Sequence, residues 1–264
     1  MPRNMPRKND SHNPLEALRQ LLAELNLTTA AQRLPELLQQ AETAHPAYSE
    51  FLTQVLKTET DTRWQRKVAR RVRCSKLGAE MSLDGFDFSA RPQLSVQVIK
   101  ELLTCRFVEE RRNVILVGRP STGKTTIARA IGHAACRRGM AVYYSPLSDL
   151  LGLLHASKAD GTYRRAFRRS ERPDLLILED CGFDTTLGRD AANELFRVVC
   201  ARHRQRSTVV VTNLPFRQWG EFLPSSAQAV AIIDRLIDQA TILRFSGRPF
   251  REPRDVHGAP LDGE

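Results

Sequence analysis

The residues with the clearest chemical potential are Gly118-Arg119-Pro120-Ser121-Thr122-Gly123-Lys124-Thr125, a match to G-x-x-x-x-G-K-[ST]. In such a loop two glycines let the backbone curl so that successive amides point inward at phosphate oxygens. A helix beginning at Lys124 would add its positive N-terminal end to the same anion. Lys124 is then placed to reach the β- and γ-phosphates, and the Thr125 hydroxyl to ligate magnesium. Gly118, Ser121, Thr122, Gly123 and Thr126 complete the expected cradle. About 55 residues further on, Asp174-Leu-Leu-Ile-Leu-Glu179-Asp180 is an apolar run ending in two acids. In such a pair the first acid usually holds magnesium through water and the second polarises the attacking water. ATP and Mg2+ are therefore the expected cofactors. Glu179 and Asp180 are candidates for both catalysis and, with Thr125, the metal.

Two further polar residues extend the series. The apolar run Thr208–Thr212 is followed by Asn213, whose amide at a strand tip could contact the γ-phosphate or orient the water. Taken alone, an asparagine there reads as a turn residue. Its place after the strand that follows the two acids favours the catalytic role. Arg235, in Ile232-Ile-Asp-Arg-Leu, sits on an amphipathic pattern and alone would be a surface charge or a partner of Asp234 or Asp238. As an arginine finger it would act on the nucleotide of a neighbouring subunit.

A parallel sheet is what must hold such a loop. Five short apolar runs, at 113–117, 141–145, 175–179, 208–212 and 241–245, alternate with helical patterns near 124–138, 147–157, 189–204 and 229–239. Strands that are apolar throughout and separated by helices point to an α/β domain with a five-stranded parallel sheet covered on both faces. Ahead of it, leucines at 15, 18, 22 and 25 and at 34, 37 and 38 recur at helical spacing, and a third helix is expected from about 47 to 77. The expected layout is a disordered stretch at 1–13, a small helical domain at 14–80 for partner or DNA contact, the nucleotide domain at 81–251, and a loose tail at 252–264.

Composition narrows the class. Hydrophobic residues make up 41% and charged residues 27%, a globular balance that argues against disorder. No apolar run approaches the ~18 residues of a membrane span, and no apolar segment follows the basic start, so a cytoplasmic location is expected. The five cysteines form no C-x-x-C pair and read as small buried hydrophobes. Lys and Arg number 40 against 30 Asp and Glu, a net +10. Much of that excess is clustered. Residues 62–76 carry seven basic residues and no acid, with Arg63, Arg66, Lys67, Arg70 and Arg71 on one helical face. Unmixed basic faces fit a DNA backbone or an acidic partner better than solvent. A second cluster is Lys158, Arg164, Arg165, Arg168 and Arg169, beside Tyr163. A third, Arg197, Arg202, Arg204 and Arg206, could serve a subunit interface. Trp64 and Trp219 are expected to anchor packing.

At this point the chain resembles a known family. DGFDFSARPQL, GRPSTGKT, DLLILEDCGF and above all STVVVTNLPFRQWGEFL with AVAIIDRLIDQATILRFSGRPFR are similar to the IstB-type transposition helper ATPases of the AAA+ superfamily, relatives of the DnaC-type helicase loaders. The resemblance runs from roughly Leu34 to Arg251. It implies an AAA+ P-loop fold and a homo-oligomer with nucleotide at subunit interfaces. It also implies assembly on duplex target DNA and recruitment or activation of a partner transposase, with no membrane role. Matched by position, Lys124 and Thr125 are the P-loop pair, Asn213 the sensor, Arg235 the arginine finger, and Arg251 a late basic residue toward the nucleotide. The resemblance also places the second basic cluster where bound DNA would lie. Two departures stand out. Glu179-Asp180 replaces the family's usual Asp-Glu or Asp-Asp, so slow hydrolysis with binding retained is expected. Arg119 and Ser121 stand where the family often has Pro and Gly. A helicase loader, or a DNA-binding scaffold with little turnover, would share the same core.

Overall fold

A computed structural model describes residues 13–79, 81, 83, 86, 88–89, 93–182 and 187–246. The expected disordered start up to residue 12, Arg251 and the tail fall outside these residues. The chain divides into two compact units, one up to Lys67 and one from Val68 onward.

The first unit is helical. It contains α1 (Pro14–Glu24), α2 (Thr28–Ala44) and the first part of α3 (Tyr48–Ser75), inside which the division falls. Its core is small, built on Ala30, Leu37 and Val55. Helix α2 begins with no side-chain cap from its own preceding residue. The first-turn amides are met instead by the buried Glu59 carboxylate, which accepts from Thr29 N at 2.7 Å and Ala30 N at 2.9 Å. A carboxylate there satisfies orphan donors and complements the helix dipole.

The second unit carries, in order, α4 (Val96–Leu103), α5 (Arg106–Glu109), β1 (Val114–Gly118), α6 (Lys124–Arg137), β2 (Val142–Pro146), α7 (Leu147–Ala159), α8 (Tyr163–Glu171), β3 (Leu175–Cys181), α9 (Arg189–Arg202), β4 (Ser207–Thr212), a 3-10 turn (Phe216–Gln218), α10 (Trp219–Phe222), α11 (Ser226–Ile237) and β5 (Thr241–Phe245). The strands form one sheet in the order β2-β3-β4-β1-β5, and every pairing is parallel. Successive side chains of a strand point to opposite faces. Val114, Leu116, Ile177 and Val209 accordingly join one core with α6, while Ile115, Leu176, Leu178 and Val210 join another with α7, α9 and α11. Edge strand β5 is the exception to the all-apolar pattern: Ile242 and Arg244 face outward.

The strand expectations hold to within two residues. Helix α8 was not foreseen, because four arginines conceal its apolar side of Tyr163, Ala166 and Phe167. Asn113 ties the lower end of the sheet together. Its side chain donates to Leu236 O at 3.1 Å and accepts from Thr208 N at 2.9 Å, and its carbonyl accepts from Thr241 N. Trp219 is buried as expected, whereas Trp64 is 45% exposed with the Lys67 ammonium over its ring. All five cysteines are free; Cys105, Cys136 and Cys181 are buried, but Cys74 is exposed.

Candidate functional site

The loop from β1 to α6 lies at the C-terminal edge of the sheet, beside the point where the strand order turns back, the usual place for a ligand in open α/β sheets. Two glycines make it possible. Gly118 has φ +157°, and a Cβ there would fall 2.1 Å from the Phe245 carbonyl oxygen of β5. Gly123, at φ 93°, turns the chain into α6. Thr122 is fully buried and its hydroxyl donates to Arg119 O at 2.8 Å, closing the loop on itself.

Lys124 is folded into this loop, its ammonium donating to Gly118 O at 2.7 Å and Arg119 O at 2.6 Å. Ser121, Thr122, Gly123, Lys124, Thr125 and Thr126 line a cavity of about 350 Å³ with Met81 and Arg129. Six of the expected cradle residues therefore share one concave surface. Gly118 borders it through its bond to Lys124.

Glu179 meets the cradle from β3. Thr125 Oγ1 donates to Glu179 Oε2 at 3.1 Å, and Glu179 Oε1 is buried with no hydrogen-bond partner. Burial, reinforced by the Asp180 charge, pushes the Glu179 carboxyl up to about 7. Burial likewise lowers the Lys124 ammonium to about 8, against the opposing pull of Glu179 and Asp180. A buried cation and a buried acid of this kind gain most from a ligand that brings both phosphate and a divalent ion. The orphan oxygen beside a threonine hydroxyl is a donor set that suits Mg2+, which prefers oxygen ligands.

Asp180 does not face the same way. Between Leu178 and Cys181 the pairing with β4 slips: Leu178 stays opposite Val210, but Cys181 lies opposite Thr212. The extra residue is a bulge, and Asp180 occupies it at φ 54°. The two acids thus separate into a buried Glu179 and an exposed Asp180. The bulge is pinned by Thr212, whose hydroxyl donates to Cys181 O and accepts from Leu214 N at 3.0 Å.

Asn213 sits at the tip of β4, half-buried, and lines a neighbouring cavity of about 810 Å³ with Gly118, Arg119, Phe216 and Arg244. It is adjacent to the start of the loop but outside the cavity lined by Lys124. Arg235 is not brought to the cradle. Its carbonyl accepts from Asn113, at the opposite end of the sheet, and its guanidinium donates to Ala231 O and lies over the Phe196 ring. Arg251 lies outside the described residues.

Sequence reasoning missed Arg129. It lines the cradle cavity, donates to the Tyr144 hydroxyl at 3.2 Å and lies 5.0 Å from that ring's centre. The available signal was its spacing, four residues after Thr125 and so on the same helix face.

The basic clusters are thinned by the structure. Arg63 is paired with Glu59 at 2.8 Å and also donates to Asn26 O, so it serves the cap of α2. Arg71 is half-buried with its Nε unpartnered, whereas Arg66, Lys67 and Arg70 are exposed. Lys158 is bound to Glu194 at 2.8 Å. Arg164, Arg165, Arg168 and Arg169 are exposed. The third cluster is structural. Arg197 lies over the Tyr163 ring, Arg204 pairs with Asp238 and Arg206 with Asp174, and Arg202 is buried among carbonyls. Asp238 and Asp174 lie 34 and 32 residues from Arg204 and Arg206, whereas Glu59 is four residues before Arg63.

A family model described as IstB-like ATP binding protein matches residues 20–256 of this chain. The chain is 32% identical over 237 residues to the insertion sequence IS21 putative ATP-binding protein of Pseudomonas aeruginosa, covering 90% of this chain and 89% of that one. It is 30% identical over 236 residues to the insertion sequence IS5376 putative ATP-binding protein of Geobacillus stearothermophilus, covering 89% and 94%. Among solved structures it is similar to AMPPCP-bound DnaA from Aquifex aeolicus, with a TM-score of 0.54 and 20% identity over 65% of this chain and 51% of that one. It is also similar to DnaI, with a TM-score of 0.52 and 18% identity over 66% and 92%. A DNA replication initiation factor gives 0.53 and 20%, and this chain spans about half its length, 50%. At these identities the structures establish the fold alone, that of AAA+ P-loop proteins.

Proposed function

The chain belongs to the family of IstB-like ATP binding proteins and has the AAA+ ATPase fold; from that premise we propose that it is the ATP-dependent DNA-binding helper of a transposable element. It assembles on duplex target DNA with nucleotide at subunit interfaces, and it recruits and activates a partner transposase. The observation that carries the nucleotide part is the cradle, where Lys124 folds into the loop and Thr125 meets the buried Glu179 across one cavity.

The residues divide the work as follows. Loop amides and the α6 N-terminus receive the phosphates of ATP, Lys124 exchanges its two carbonyl partners for phosphate oxygens, and Thr126 and Ser121 line the approach. Thr125 and Glu179 would hold Mg2+, which would supply positive charge beside the phosphates when bound. Asp180, exposed on its bulge, is free to take up the proton of an attacking water. Its side chain is one methylene shorter than the glutamate usual at that place, and this supports slow hydrolysis. Asn213 orients from the tip of β4, and Arg235 acts on the nucleotide of the adjoining subunit. The names of the insertion-sequence relatives support the transposition role. The exposed Arg66, Lys67 and Arg70, and the arginines of α8, support contact with a phosphate backbone. No described helix is long and apolar enough to cross a membrane.

The test is phosphate release by purified protein with and without duplex DNA, beside Lys124→Ala. Slow turnover that duplex DNA raises and Lys124→Ala abolishes is the expected result. Turnover that ignores both would overturn the proposal.

A further inference from the structure

Helix α8 and its C-terminal cap residue together present five arginines to solvent. Arg164, Arg165, Arg168, Arg169 and Arg172 are all exposed, and none forms an ion pair among the described residues. At about 100° per residue they fall within a single face, and at about 1.5 Å per residue they extend over roughly 12 Å. Phosphates of one DNA strand advance ~3.4 Å each along the duplex axis, so such a face spans more than one of them. Crowding five like charges on one short helix costs energy, and the helix is held against that cost from behind.

The hold comes from α9, through two buried charged residues, one in its second turn and one at its last position. Toward its start, Glu194 is 4% exposed. It accepts from the Tyr163 hydroxyl at the first residue of α8 and from Lys158 Nζ at 2.8 Å, with Arg197 at 3.7 Å. Burial alone would raise the Glu194 carboxyl, but bonds from Lys158 and Tyr163 hold it below its ordinary value, so it stays charged. The Tyr163 ring stacks on Phe167, and Arg197 covers both rings at 5.1 and 5.9 Å. At the far end of α9, Arg202 is 1% exposed. Its guanidinium donates to the carbonyls of Ser170 at 2.8 Å, Glu171 at 3.2 Å and Pro173 at 2.9 Å, closing the last turn of α8 where helix carbonyls lack partners. The same side chain donates to Thr208 Oγ1 at 3.1 Å and to Ser207 O, both in β4. One helix therefore fixes the first and last turns of its neighbour and ties the second of them to the sheet.

We propose that Glu194 and Arg202 are positioning residues that present α8 as a preorganised arginine face to the phosphate backbone of duplex DNA. This rests on the DNA-binding reading above and refines it. Arg172 joins the contact set. Lys158, whose charge is spent on Glu194, leaves it. A helix held at both ends loses little freedom on binding, so its arginines act together.

The test uses the full chain and a fluorescent duplex, with affinity measured over a series of salt concentrations in the presence of a non-hydrolysable ATP analogue. Arg164→Ala/Arg168→Ala should reduce the slope of log affinity against log salt by about 2, one per lost phosphate contact. Glu194→Gln keeps the shape but removes the charge, and Tyr163→Phe keeps the ring stack but removes the hydroxyl. Both should weaken duplex binding about fivefold or more and flatten the slope, while nucleotide affinity stays within twofold. Amide exchange in α8 should quicken in both. If Glu194→Gln fails to fold, Tyr163→Phe decides. Wild-type affinity and slope in Tyr163→Phe, alongside a weakened double arginine variant, would overturn the positioning role and leave the DNA-binding reading standing. Wild-type affinity and slope in the double arginine variant would instead remove α8 from the DNA-binding reading itself.

Discussion

Gly118→Ala tests whether the cradle depends on the close approach of β1 to β5. Gly118 is paired with Phe245 at the last rung of the β1–β5 ladder. An added Cβ would lie 2.1 Å from the Phe245 carbonyl oxygen and 2.7 Å from its Cβ. Ordinary carbon–oxygen contacts sit at about 3.3–3.6 Å, so the first is more than an ångström too short. Backbone atoms on a paired strand cannot rotate away as a side chain would. A non-glycine residue at this φ costs about 1–3 kcal/mol, and overpacking adds about 1–3 kcal/mol. The strain can be relieved by parting the final rung or by shifting the loop. If the loop takes up 2 kcal/mol of it, ATP binds roughly 30-fold more weakly. Fluorescence titration with an ATP analogue, beside thermal unfolding, measures both outlets. Gly152→Ala is the control, because nothing lies within 4 Å of its Cβ in α7; it should be neutral or stabilise by about 0.4–1 kcal/mol. Wild-type affinity and an unchanged melting temperature in Gly118→Ala would refute the reasoning.

Exchanging the acids, Glu179→Asp with Asp180→Glu, should raise turnover with ATP affinity unchanged; phosphate release no faster than wild type would count against the slow-hydrolysis reading. Arg202→Met removes the partner of several buried carbonyls and should cost at least about 3 kcal/mol, read by urea unfolding. Glu59→Gln should destabilise the N-terminal unit by about 1–2 kcal/mol at neutral pH. Burial opposes the Glu59 charge, but amide bonds from Ala30 and Thr29 with the Arg63 pair outweigh it and hold the carboxyl below 4.5. A depressed acid stabilises above its unfolded value and loses that contribution as pH falls through the folded one. The gap between wild type and Glu59→Gln, followed by circular dichroism, should therefore close as pH drops below about 4.5; a gap that widens would contradict the sign.

The sheet was legible because its strands are short apolar runs bounded by polar turns, a signal that survives without any partner. The loop from Gly118 to Thr125 was legible because its chemistry is local, a few backbone amides and one lysine. What sequence could not show depends on pairing at a distance. Nothing near Glu194 announces Lys158 or Tyr163, and nothing near Arg202 announces the end of α8. The basic runs therefore looked larger than they are, and charges such as Arg204 and Arg206 proved to be bonded to Asp238 and Asp174. The split between buried Glu179 and exposed Asp180 comes from a one-residue slip against β4, and pairing register is absent from a single strand's sequence.

ATP-controlled assembly on duplex DNA is the central claim, and imaging purified protein mixed with duplex DNA, with and without a non-hydrolysable ATP analogue, tests it most directly. Ordered oligomers on the duplex that form only with the analogue are the expected result. Single copies in both conditions would contradict it.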